Sequence, residues 1–130
     1  MTPAHALQNQ PAMSRPWIRW IVPFAVAVSI FAATSWPTPP HMPGSSDKLV
    51  HFSAYAMLGV SIAWAARVRS WLHALRWVVL VSALGAADEW HQQFIPGRRM
   101  DARDWMADTA GAVCGLSLVT ALFRRRESVA

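Results

Sequence analysis

The chain has 130 residues, of which 54% are hydrophobic and only 15% charged, with a formal net charge of +5. Soluble domains carry about 25% charged residues, so this composition argues for a chain whose main solvent is lipid. The single cysteine, Cys114, excludes an internal disulfide and a cysteine-based zinc site, and packing is its expected role.

Residues 1–14, with several Pro, Gln and Ala, are expected to form a disordered tail. Four apolar blocks follow, each near the roughly 20 residues a helix needs to cross a bilayer. The first, Trp17–Trp36, comes after Arg15 and alongside Arg19. Its Phe31–Ser35 end also fits a signal-peptide cleavage region, but the apolar stretch is long for a signal core, which favours a retained helix. Pro23, near its start, is tolerable in a membrane helix. The link 37–48 opens with Pro37-Thr38-Pro39-Pro40 and reads as a stiff extended connector.

The second block is Leu49–Ala66 and the third Arg76–Gln93. The third has a short uninterrupted apolar run, Trp77–Ala87, before Asp88 and Glu89, and in isolation it also fits a core helix of a soluble protein. Ile95-Pro96-Gly97-Arg98 predicts a turn, and the fourth block, Trp105–Phe123, follows it. Most of the tryptophans stand near block ends, as interfacial anchors do. The expected fold is an all-α integral membrane protein: a four-transmembrane-helix bundle over residues 15–126 with a C-terminal tail at 127–130.

Charge sorts the links. Arg15, Arg19, Arg67, Arg69, Arg76 and Arg124–Arg126 fall on one side of such a bundle, against the single acid Glu127. The opposite side holds Lys48, Arg98, Arg99 and Arg103 with Asp47, Asp88, Glu89, Asp101, Asp104 and Asp108. The positive-inside rule then places both termini of this multi-pass chain in the cytoplasm. The basic face is suited to anionic headgroups, so membrane lipids are the expected partners and nucleic acid is not.

The acids and amides gather at the outer ends of blocks two to four. Asp47, His51 and Tyr55 are spaced four apart, which puts them on one helical face with Lys48 beside them. Ser82, Gly85, Glu89 and Gln92 make a second stripe, next to a face with Asp88 and His91. Asp101, Asp104, Asp108, Gly111 and Gly115 make a third, whose glycine half allows close helix contact. Ionisable groups in a membrane normally face a partner or a wet cavity. Three polar stripes at one level therefore predict an outward-facing polar pocket walled by helices two to four. Arg98 is expected to pair with Glu89 or Asp108, Asp104 to cap helix four, and helix one to pack behind.

These residues carry a family resemblance. Asp47-Lys48-Leu-Val-His51-Phe-Ser-Ala-Tyr55 resembles the opening motif of VanZ-like membrane proteins. Asp88-Glu89-Trp-His91-Gln92-Gln-Phe94-Ile-Pro96-Gly97-Arg98 resembles their second motif, and Asp104-Trp-Met-Ala-Asp108-Thr-Ala-Gly111-Ala-Val-Cys-Gly115 is similar to the third. The likeness covers roughly residues 45–122. Many members carry Asn where Asp108 stands, and a Gly where this chain has Ala110. The resemblance implies the four-span architecture and a link to the cell envelope or to glycopeptide tolerance, without a defined reaction.

The candidate ligand-binding residues are Asp47, Lys48, His51, Tyr55, Asp88, Glu89, His91, Gln92, Arg98, Asp104 and Asp108. The leading expectation is a binder of a lipid-linked envelope precursor or headgroup, with Arg98, Arg99 or Lys48 meeting phosphate. The alternative is a membrane enzyme using Glu89 and His51 as acid–base partners on a lipid or cell-wall substrate. A small transporter module ranks third, because four helices are few for alternating access. No cofactor signature stands out. Asp47, His51, Glu89, His91 and Asp108 are cation-ligand types, but their spacing matches no known ligand pattern, so no metal is expected.

Overall fold

The computed structural model describes residues 15–37 and 46–129. The expected tail at 1–14 and most of the extended connector lie outside the described residues. A 3-10 turn, Ile18–Trp20, leads into α1 (Ile21–Thr34), followed by α2 (Ser46–Ala65), α3 (Trp71–Gln92) and α4 (Ala102–Val129). Among the described residues the fold is all-helical.

Several helix ends differ from the apolar blocks, for reasons of capping. Pro23 falls in the first turn of α1, where its missing N–H is not needed. Helix α3 starts at Trp71 rather than Arg76 because the Ser70 hydroxyl accepts from the His73 backbone N–H at 3.2 Å. Helix α4 starts at Ala102 because the Asp101 side chain accepts from the Arg103 N–H at 2.8 Å. Asp101, not Asp104, is therefore the cap. The same helix runs on to Val129 through Arg124–Glu127, strong helix formers, and so takes in most of the expected C-terminal tail.

Helix α2 ends in a Schellman turn: the Val68 N–H donates to Ala63 O at 3.0 Å and the Arg67 N–H to Trp64 O at 3.3 Å. This holds Arg67 at φ 51, a left-handed conformation usually filled by glycine. Val68 is buried as the hydrophobic partner of that turn. Between α3 and α4 the expected turn forms, with Gly97 at φ 81 after Pro96 and the Arg98 N–H donating to Ile95 O.

The tightest seam joins α2 to α4. A Cβ on Gly111 would lie 2.2 Å from Phe52 O, one on Gly115 2.2 Å from Ala56 O, and one on Gly59 2.9 Å from Ala112 O. Backbones can approach this closely only without side chains at the crossing. Tyr55, Leu58, Ile62, Ala63, Val81, Ala112, Leu116 and Val119 make the buried core along and beside the seam. Deeper polar groups serve themselves: the Ser61 and Thr120 hydroxyls donate to Leu58 O and Leu116 O.

The distribution of polarity is inverted relative to a soluble domain. Asp88, Glu89, Gln92 and Asp108 are buried, whereas Phe24, Met57, Leu72, Val79, Leu80, Met106 and Leu118 are exposed, Phe24 at 72%. Among the described residues Ala102–Val129 is the one helix long and apolar enough to cross a membrane by length and composition, and Ile18–Thr34 is apolar but shorter.

Candidate functional site

The three stripes expected from helical spacing converge at the ends of α2, α3 and α4 that meet the link 93–101. Each stripe reaches the interior by a different device. His51 and Tyr55 are successive turns of α2. Glu89 and Gln92 close the last turn of α3, and Asp108 lies less than two turns into α4. The absence of a side chain at Gly85 makes room for them: a Cβ there would meet Asp108 Oδ2 and Tyr55 Cε1, each at 3.4 Å.

At the centre, His51 Nδ1 and Asp108 Oδ1 share a hydrogen bond of 2.9 Å, with Asp108 completely buried. Glu89, 1% exposed, approaches the same point. Its Oε1 accepts from Gln92 Nε2 at 3.0 Å and its Oε2 from the Asp101 backbone N–H at 2.9 Å. The link between α3 and α4 is thereby tied down over the cluster. Asp108 Oδ2 and the Tyr55 hydroxyl, both buried, have no hydrogen-bond partner among the described residues.

Arg98 takes a different route from the expected pairing with Glu89 or Asp108. Its Nη1 donates to Gln92 Oε1 at 3.2 Å, its Nη2 to Ala33 O at 2.9 Å and its Nε to Trp36 O at 3.2 Å. The guanidinium thus adds hydrogen bonds to carbonyls at and just beyond the C-terminal end of α1, where a positive charge is favourable. Asp88 also turns to α1, accepting from the Thr34 hydroxyl at 2.8 Å, and His91 stacks on Phe31 with ring centroids 4.8 Å apart. Helix α1 is therefore a wall of the site and not a backing element. Thr34, the polar residue closing an apolar block, was the available signal for this; the carbonyls of Ala33 and Trp36 gave none.

Asp47, Lys48 and Asp104 form a separate, partly exposed ion cluster at the mouth. Lys48 Nζ lies 2.7 Å from Asp104, 3.2 Å from Asp47 and 3.4 Å from Asp101. The Asp104 hydrogen bond is the main force raising the Lys48 pKa, against a smaller desolvation cost. The Arg103 N–H holds Asp101 below the usual carboxylate range, helped by Lys48. At Asp47 desolvation pushes upward, but the Lys48 backbone and ammonium together win and lower it.

A cavity of about 250 Å³ lies between α1, α2 and α3. Phe24, Ala27, Val28, Ile30, Phe31, Leu58 and Leu84 give it an apolar lining, and Tyr55 and Asp88 are its polar members.

Among the described residues, an all-helical arrangement with carboxylates, amides and an imidazole turned inward, aromatic and aliphatic side chains turned outward, and one helix apolar enough to cross a membrane suggests a membrane protein with a polar interior. The family can be stated more closely: the VanZ/LLP1 model matches residues 2–124, and the chain belongs to that family. No curated protein and no solved structure matches it.

Proposed function

We propose that this VanZ-like protein is a four-span inner-membrane protein with both termini cytoplasmic, and that it binds an amphiphile of the cell envelope. The hydrocarbon chain lies in the cavity between α1, α2 and α3, and the headgroup turns toward Asp88, Tyr55 and the outward polar cluster. The observation that carries the reading is the cavity itself: seven apolar side chains with Tyr55 and Asp88 as the polar members. From Phe24 to Phe31 its α1 wall runs about 10 Å along the helix axis, matching part of an acyl or isoprenoid chain. Its rim residues Phe24, Val28 and Phe31 are exposed, on a surface that lipid tails would cover.

The four-span arrangement draws support from the inverted polarity. Hydropathy sums count Asp88 and Glu89 against α3, yet both point inward, leaving Leu72, Leu75, Val79 and Leu80 on the outside. Helices α2 and α3, of 20 and 22 residues, have the rise to span about 30 Å. The alternative acid–base reading pairs Glu89 with His51. Here His51 is bonded to Asp108, and both Glu89 oxygens are held by Gln92 and Asp101, which favours the binding role.

Native mass spectrometry of the gently solubilised protein tests the proposal. Wild type is expected to retain a defined amphiphile that is lost when Ala27→Trp fills the cavity and weakened by Asp88→Asn. The same bulk phospholipid on all three proteins would sink the binding role. A reporter fused after Ala130 that reads as external would sink the topology.

A further inference from the structure

We propose that His51, Glu89 and Asp108 form a binding site for a first-row divalent cation of the Zn²⁺ or Mn²⁺ type. One ligand atom from each residue lies within 4.8 Å of the other two, a separation an ion can close with small rotamer changes at ligand distances near 2.0–2.2 Å. The spacing along the chain gave no such pattern because each ligand comes from a different helix. Of the other residues considered as ligands, Asp47 is committed to the Lys48 cluster at the mouth and His91 to Phe31.

Unpartnered buried polar atoms lie in and beside the same cluster. The Tyr55 hydroxyl is buried, with the residue 1% exposed, and has no hydrogen-bond partner among the described residues. Tyr55 lies one helical turn from His51 and its ring edge flanks Asp108 across Gly85. Asp108 Oδ2, also unpartnered and fully buried, lies on that side. Buried polar atoms are rarely left without a partner, and a cation with a coordinated water offers one to both.

Charge favours the ion as well. With both carboxylates ionised, the cluster is anionic even when His51 is protonated. The nearby basic side chains are committed elsewhere, Lys48 to Asp47, Asp101 and Asp104, and Arg98 to Gln92 and two backbone carbonyls. A buried group of uncompensated charge is strongly disfavoured in a low-dielectric interior. A divalent ion with neutral His51 brings the group to neutrality, and a proton on Nδ1 leaves as the ion enters. The imidazole nitrogen selects against Mg²⁺ and Ca²⁺, which prefer all-oxygen shells. Three protein ligands leave a coordination position for water or an anionic oxygen. Gln92 and the Asp101 N–H, which fix Glu89, are the positioning groups around the site.

The test is a titration of Zn²⁺, Mn²⁺, Mg²⁺ and Ca²⁺ into the full-length, chelator-treated protein in detergent without added lipid, followed by calorimetry and elemental analysis. The expected result is one Zn²⁺ or Mn²⁺ per chain, with weaker binding of Mg²⁺ and Ca²⁺. Asp108→Asn and Glu89→Gln should weaken it by at least roughly 100-fold and Gln92→Leu by about 10- to 100-fold, while Cys114→Ser, on an exposed face of α4, retains it. Both carboxylate substitutions keep the side-chain shape and remove a buried charge, so they preserve the fold, which helical circular dichroism verifies. Sub-stoichiometric binding by folded wild type would overturn the site, as would equal affinity in the two carboxylate variants. Metal stoichiometry and bound lipid are read by separate measurements, so failure here is separable from failure of lipid binding.

Discussion

The two sides of α2 are built on opposite principles. Toward α4 the backbones touch through Gly59, Gly111 and Gly115, and the contact is without slack. Toward α1 the packing opens into a cavity beside Val26, Ala27 and Ile30, and the polar contacts that hold α1 run to α3 and the link after it: Thr34 to Asp88, and Arg98 to Ala33 and Trp36. A rigid seam fixes His51 against Asp108, two groups that need sub-ångström placement to share a hydrogen bond. A latched wall ties α1 to that seam through side-chain contacts that can break without disturbing the seam itself. The division explains why one arginine serves two elements, since Arg98 joins the link above the polar cluster to the end of α1.

The comparison breaks most severely at the seam. Gly115→Val places side-chain atoms where Ala56 O stands. Overpacking inside a side-chain core costs about 1–3 kcal/mol, and backbone carbonyls cannot rotate aside, so the loss should reach at least the top of that range. Denaturant titration in mixed micelles measures it. A variant as stable as wild type would mean that α2 and α4 do not cross at this distance.

The latch should matter less to stability and more to motion. Arg98→Ala removes hydrogen bonds to the Ala33 and Trp36 carbonyls and to Gln92. Charged hydrogen bonds contribute about 1.5–3 kcal/mol each at most, and less where water reaches them. The expected outcome is faster amide exchange over the last turns of α1, with the α2–α4 seam unaffected. Thr34→Val is the smaller version, about 1 kcal/mol for the lost donor to Asp88. Uniform exchange changes along all four helices would argue that α1 is not a separable wall.

The contrast also accounts for what was legible in the sequence. The stripes on α2, α3 and α4 followed from steps of three and four residues, and Gly111 and Gly115 signalled the close seam, because side-chain identity and helical period decide both. The role of α1 was hidden because its contribution is mainly main-chain carbonyl oxygen, which every residue carries. Arg98 was expected at a carboxylate on the reasoning that opposite charges pair. Carbonyls at the end of α1, where a positive charge is favoured, took it instead. The start of α3 was misplaced because hydropathy does not register a Ser70 cap, and the start of α4 because Asp101 and Asp104 are equivalent by composition. The meeting of His51, Glu89 and Asp108 depends on how three helices are set against one another, and no spacing along the chain encodes that.

The smallest effect belongs to the ion cluster at the mouth, which belongs to neither side. Lys48→Met should cost less than about 1 kcal/mol at neutral pH, because half-exposed pairs are screened, and the cost should shrink further at high salt. Its pH window follows from the directions of the shifts. Asp47 and Asp101 are depressed relative to their ordinary value of 3.8, so their contribution is present above that pH and is lost as acid carries the solution down through their lower folded values. Lys48 is raised above its ordinary 10.5, so its contribution is present below that pH and is lost only as alkali passes its higher folded value. Wild type and Lys48→Met should therefore differ across the broad middle range and converge at both extremes. If their melting temperatures ran parallel from acid to alkali, the cost of the substitution would come from packing of the lysine stem and not from its charge.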